Sequence, residues 1–147
     1  MTLSSVRYLL DVNVLIALTD SEHVHHELVM GWFEHSGRPD WGLCALTEAG
    51  FVRVAVNPKV GSRTVAQATA LLSRLASDPG CRFWPISDGW AKLAAPFSQR
   101  IFGHRQINDA LRLGLAITQK GVLVTMDKGI AYMAGAEYRH NVLVLSG

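Results

Sequence analysis

Short apolar runs alternate with stretches of helical periodicity along the whole chain. VRYLL (6–10) is a β-type run that stops at Asp11, and residues 13–19 read as a short helix with Asn13 near its start. In 23–35, Val24, Leu28 and Trp32 recur every fourth residue, the stripe of one helix face, and Gly37 and Pro39 break it. WGLCAL (41–46) reads as a buried strand, with Thr47 placed to cap a helix that Asn57-Pro58 ends at about residue 56. Ser62 is placed to cap the next helix, which carries Val65, Ala68, Leu72 and Leu75 on one face to about Ser77 before Asp78-Pro79-Gly80 stops it. CRFWPI (81–86) is a strand whose Pro85 belongs at a sheet edge or a strand end. Residues 89–101 are helical in character with a bend at Pro96, and 109–119 form a helix with Leu111, Leu115 and Thr118 on one face. VLVTM (122–126) is a strand ending at Asp127, a short helix spans 129–134, and VLVL (142–145) is the last strand.

Strands alternating with helices, the strands themselves apolar throughout, predict a three-layer α/β/α fold around a mostly parallel sheet. The 147 residues suit one domain, 1–147, and no repeat or Gly/Ser/Pro-rich linker divides them. Apolar residues at 49% and charged residues at 18% exclude a disordered chain. Cys44 and Cys81 are too few for a disulfide framework and read as reduced core residues. Arg7, Asp11 and Asn13 interrupt the apolar N-terminal run, and no segment has the length to span a bilayer, so the expectation is a soluble cytoplasmic protein with no membrane association. A net charge of +2 permits an anionic partner without demanding one.

Four of the twelve acidic residues stand where apolar neighbours should bury them. Asp11 and Asp127 end strands; Glu48 and Asp109 fall in the first turns of helices. Taken singly, each has a plain structural role as a helix cap or a partner of the helix dipole. Taken together they differ, because ligands of a parallel sheet gather beyond the carboxyl ends of its strands. Carboxylates converging there are costly unless protons or a cation neutralise them. An all-oxygen set suits Mg²⁺ or Mn²⁺, and the lack of cysteine and histidine at these positions argues against zinc. Such an ion supports phosphodiester hydrolysis by lowering the pKa of a bound water and stabilising charge on the phosphoryl oxygens.

LLDVNVLIAL, LTEAGFVRV, GHRQINDALRLGLA and LVTMDKGI, in that order and over nearly the whole chain, resemble a PIN domain, most closely the VapC toxins of bacterial VapBC toxin–antitoxin modules. The resemblance implies a Mg²⁺- or Mn²⁺-dependent endoribonuclease that cuts cellular RNA, tRNA or rRNA among the candidates, and stops translation. It also implies a cognate VapB-type antitoxin and a homodimer. By motif, Asp11, Glu48 and Asp109 match the three central acids and Asp127 the more variable fourth. Asn13 and Thr125 match supporting polar positions. The chain departs from the pattern at Asn108, where Thr or Ser is commoner, and at Arg112, where the family is commonly apolar. Arg112 shares a helix face with Asp109, so it either pairs with an acid of the site or contacts an RNA phosphate.

His104 and Arg105 precede Asp109 and form either a cationic mouth for phosphate or a solvated loop. His23, His25 and His26 lack the further ligands of a metal site and read as a polar first turn. Trp32, Phe33, Phe51, Trp84 and Trp90 are base-stacking candidates that read mostly as core. The 65–75 stripe and the run from Phe51 to Val56 would form, if exposed, a groove for an antitoxin helix or a second subunit. Two rival readings remain. A receiver-type phosphoacceptor needs paired acids after the first strand, where this chain has Asp11-Val12. A catalytically silent PIN-like binding module would have no need of the four acids.

Overall fold

The computed structural model describes residues 6–146; residues 1–5 of the N-terminal run fall outside it. Five strands, β1 (Tyr8–Leu10), β2 (Trp41–Leu43), β3 (Cys81–Phe83), β4 (Val122–Thr125) and β5 (Val142–Val144), pair in the order β3-β2-β1-β4-β5, all parallel. This is not the 2-1-3-4-5 order of receiver-type domains, so that reading is excluded. The connections run from β1 outward to β3, then cross to β4 on the other side. The switch point therefore lies between the ends of β1 and β4, where the ladder continues as the Asp11 amide donates to the Val124 carbonyl at 2.9 Å.

The helices are α1 (Val12–Thr19), α2 (His26–Trp32, continued by a wide π turn through Gly37), α3 (Ala45–Val56), α4 (Val65–Ala76), α5 (Trp90–Ala94, continued by a 3₁₀ segment to Arg100), α6 (Ile107–Thr118) and α7 (Lys128–Ala134). Strand alternation divides the core into two layers. Leu10, Leu43 and Val124 face a cluster with Val14, Leu15, Val29, Phe51 and Ala68 from α1–α4. Leu9, Cys44 and Leu123 face the opposite cluster with Phe97, Leu113, Ala116 and Ile130 from α5–α7. The three-layer α/β/α sandwich is thus present, with helices covering both faces of a buried parallel sheet. Gly114 lets α5 reach α6, since a Cβ there would run into the Leu93 carbonyl.

Several boundaries differ from the sequence reading, each for a local reason. Cys44 caps α3, and Thr47 sits inside the helix, fully buried. The cap of α4 is Thr64, not Ser62: its hydroxyl accepts from the Gln67 amide at 3.1 Å, and Gln67 Oε1 accepts from the Thr64 amide at 2.8 Å. Val24 lies ahead of α2 and is 85% exposed, so the stripe of that helix begins at Leu28. Thr118 is exposed, while Ala110 and residues 112–116 are buried, because α6 is enclosed on several sides. Pro96 lies in the bend between α5 and its 3₁₀ extension, as expected. Both cysteines are free thiols; Cys44 is buried and Cys81 only partly so. Burial and the nearby charges of Asp78 and Glu48 push the Cys81 thiol up to about 11 against the opposing pull of Arg82, so it is inert at neutral pH.

Candidate active site

The carboxyl edge of β1 and β4 opens into a basin of about 450 Å³ lined by Asp11, Asn13, Asp109, Arg112 and Asp127, with Arg53, Arg105 and His23 among its other residues. Its floor is a hydrogen-bonded network built from three elements. Asp11, 3% exposed, follows β1 and caps α1: its Oδ1 accepts from the Val12 amide at 2.8 Å. Its Oδ2 accepts from the Thr125 hydroxyl at 2.7 Å. That hydroxyl accepts in turn from Asn13 Nδ2 at 3.4 Å and from the Asp127 amide at 3.0 Å. Asn13 Oδ1 accepts from the Met126 amide at 3.1 Å, so one side chain ties α1 to the β4 exit. Thr47 completes the frame from α3, donating to the Leu10 carbonyl at 2.9 Å, one residue before Asp11. The cap role expected of Asp11 is present, and the cap leaves its other oxygen to Thr125.

Arg112 rises from α6 into this network with its side chain 7% exposed. Its Nη2 donates to Asp109 Oδ1 at 2.7 Å, and its Nε stands 3.1 Å from Asp11 Oδ1, out of line for a hydrogen bond but in direct ionic contact. The pairing of Arg112 with acids, one of its two readings, is present. Burial pushes the Asp109 carboxyl above the usual carboxylate range; the charges of Asp11 and Asp127 push the same way, while Arg112 opposes them. The ionised form of Asp109 is thus disfavoured even with the guanidinium in place.

Asp127 is exposed, and its Oδ1 caps α7 by accepting from the Gly129 amide at 2.8 Å. Glu48 stands in the first turn of α3, partly buried, and its carboxyl is raised by that burial. It does not line the basin. The structure therefore brings Asp11, Asp109 and Asp127 to one basin and leaves Glu48 outside its lining. Among the described residues, no three acids, histidines or cysteines stand close enough together to hold a metal ion as placed. An all-oxygen pair of carboxylates nevertheless fits Mg²⁺, which takes one or two carboxylates and keeps its waters.

His104 and Arg105 form a short 3₁₀ turn with Gln106 at the basin mouth, both exposed, with Arg105 lining the opening. Sequence reasoning missed Arg53, whose place on the rim depends on the packing of α3. Outside the basin lining, Phe102 and Tyr132, 70% and 68% exposed, form an aromatic pair with ring centres 6.4 Å apart that the sequence reading did not name. The signal for Phe102 was available: an aromatic between two basic residues in RIFGHR has little reason to be core. Of the aromatics named from sequence, Trp41's neighbour Phe33, Phe51 and Trp84 are buried, and Trp90 is 43% exposed. Of the histidines at 23, 25 and 26, His26 Nδ1 lies 2.8 Å from the Ala17 carbonyl, and His23, which also lines the basin, accepts at Nδ1 from the His25 amide at 3.0 Å.

Residues 8–136 match the PIN domain family. "Ribonuclease VapC44" of Mycobacterium tuberculosis is 38% identical over 138 residues, covering 92% of this chain and 97% of its own length. "Ribonuclease VapC38" of the same organism is 41% identical over 128 residues, covering 86% and 89%. Among solved structures, a toxin–antitoxin complex from Klebsiella pneumoniae has a similar fold, with a TM-score of 0.65 at 19% identity over 96% of this chain and 97% of that one. With its sheet order, its strand-end acids and these relatives agreeing, the chain belongs to the PIN-domain family, among the VapC ribonucleases.

Proposed function

We propose that the chain is the toxin of a type II toxin–antitoxin module, an endoribonuclease that hydrolyses RNA with Mg²⁺ or Mn²⁺ and so arrests translation. The observation that carries this reading is the Asp11–Thr125–Arg112–Asp109 network at the topological switch point, beside an acid-floored basin with cationic residues on its rim. Asp11, Asp109 and Asp127 would hold the ion, with Glu48 as a fourth carboxylate from α3. When bound, the ion supplies positive charge at the phosphoryl oxygens and a lowered pKa for water. Thr125 fixes the Asp11 carboxylate by donating to Oδ2, and Asn13 holds Thr125 and the Met126 amide in register. Arg53, His104 and Arg105 meet the phosphates at the rim. The exposed pair Phe102 and Tyr132 offers rings on which an unpaired base could stack, which suits single-stranded segments of tRNA or rRNA.

A cognate VapB-type antitoxin restrains the toxin. Its docking place in this reading is a second groove, about 380 Å³, lined by Leu18, Met30, Phe33, Leu71 and Leu75 with Arg38 and Arg74 at its edge. The 65–75 stripe is accordingly divided: Ala68 is buried in the core, while Leu71, Leu72 and Leu75 remain half-exposed. Two chains assemble as a homodimer in the same reading.

The end chemistry of the product tests the mechanism. With water as nucleophile the RNA 2′-hydroxyl is not needed, so cleaved RNA carries a 5′-phosphate and a 3′-hydroxyl. A 2′,3′-cyclic phosphate would contradict it.

A further inference from the structure

We propose that Arg112 is a resident cation of the acidic basin, filling the position of a second divalent ion, so that each chain binds one metal ion. The proposal rests on the nuclease reading above and adds to it a metal count and a role for one residue. Asp11, Asp109 and Asp127 line the basin, and Arg112 ion-pairs with two of them, Asp11 and Asp109, among the described residues. Its guanidinium bridges two acids from different elements, at 3.1 Å to Asp11 and 2.7 Å to Asp109, as a metal ion shared between them would. Its side chain is more than nine-tenths buried, and its Nε faces the site without a hydrogen-bond partner.

Arg53 and Arg105 lie on the rim and make no ion pair among the described residues, so they do not share this role. A guanidinium cannot be deprotonated at any working pH, so its position is permanently cationic. It holds two like charges together before metal arrives, which preserves the shape of the site.

The test is Mn²⁺ binding to the purified chain, freed of antitoxin, followed by electron paramagnetic resonance and calorimetry. Arg112→Met and Arg112→Gln serve as neutral variants and Asp109→Asn as a control; the Gln variant retains a donor toward Asp109 should the Met variant fail to fold. The expected result is one Mn²⁺ in the wild-type chain and two in a folded neutral variant, with the spin-coupled signal of a Mn²⁺ pair. One ion in the folded neutral variants, or two in the wild-type chain, overturns the proposal and leaves the nuclease reading standing. No binding by wild type or variant overturns the metal reading and this proposal with it.

Discussion

Asp11 and Asp127 occupy equivalent places: each ends a central strand, and each caps the helix that follows. Their surroundings are opposite. Asp11 is 3% exposed, with Thr125 on one oxygen and Arg112 beside the other. Asp127 is open to solvent, and one backbone amide is its only side-chain partner among the described residues. The difference comes from α6, which inserts Arg112 against β1's exit and not against β4's. Strand-end position alone therefore does not set an acid's surroundings. The cross-element network does: it holds Asp11 from two elements and leaves Asp127 with a single backbone partner among the described residues.

If this contrast is right, substitutions should separate the two acids. Asp11→Asn removes the charge at the centre of the network, and RNA cleavage is expected to fall by about 10²–10³-fold or more, with the fold retained by circular dichroism. Thr125→Val keeps the shape but leaves Asp11 Oδ2 and the Asp127 amide unpaired. A loss of about 1–3 kcal/mol in denaturant unfolding is expected, with activity down about 10–100-fold. Asp127→Asn retains the α7 cap and changes stability by about 0.5 kcal/mol or less, with a smaller loss of activity than Asp11→Asn. Equal losses for the two acids would dissolve the distinction.

Asp109 sharpens the same comparison through pH. Its folded carboxyl lies above its unfolded value, so the stability it contributes is full below the unfolded pKa and is lost as pH rises through the folded one. Asp109→Asn is thus expected to raise the melting temperature in EDTA at pH 7 while abolishing cleavage. That gain should shrink as pH falls below about 4. A variant less stable than wild type at pH 7 would show that its pairing with Arg112 outweighs burial and repulsion.

Much of the fold could be read in the sequence, because apolar runs of β type broken by acids and glycines leave few alternatives to a parallel sheet. Pro85 falls just beyond edge strand β3, where the rule for proline puts it. The helix starts were less legible. Thr47 and Ser62 both have cap chemistry, but which hydroxyl caps depends on what the neighbouring strand needs: Thr47 is taken by the Leu10 carbonyl, and Thr64 gains Gln67 as a reciprocal partner. At the site, spacing alone placed Asp11, Glu48, Asp109 and Asp127 at one edge, and three of the four line the basin. It could not say that Arg112 lies between two of them, since helix periodicity gives a face and not what that face meets. Arg53 and Tyr132 were hidden for the same reason. Glu48 is matched by motif, yet it stands outside the basin lining, and its place in the ligand set rests on the proposal.

The most direct test of the account is cleavage of total bacterial RNA by the purified chain, freed of antitoxin, in Mg²⁺, Mn²⁺ and EDTA, with Asp109→Ala alongside. Discrete cuts that need the metal and vanish in EDTA and in the variant are the predicted result. Cleavage that survives EDTA or the loss of Asp109 would contradict it.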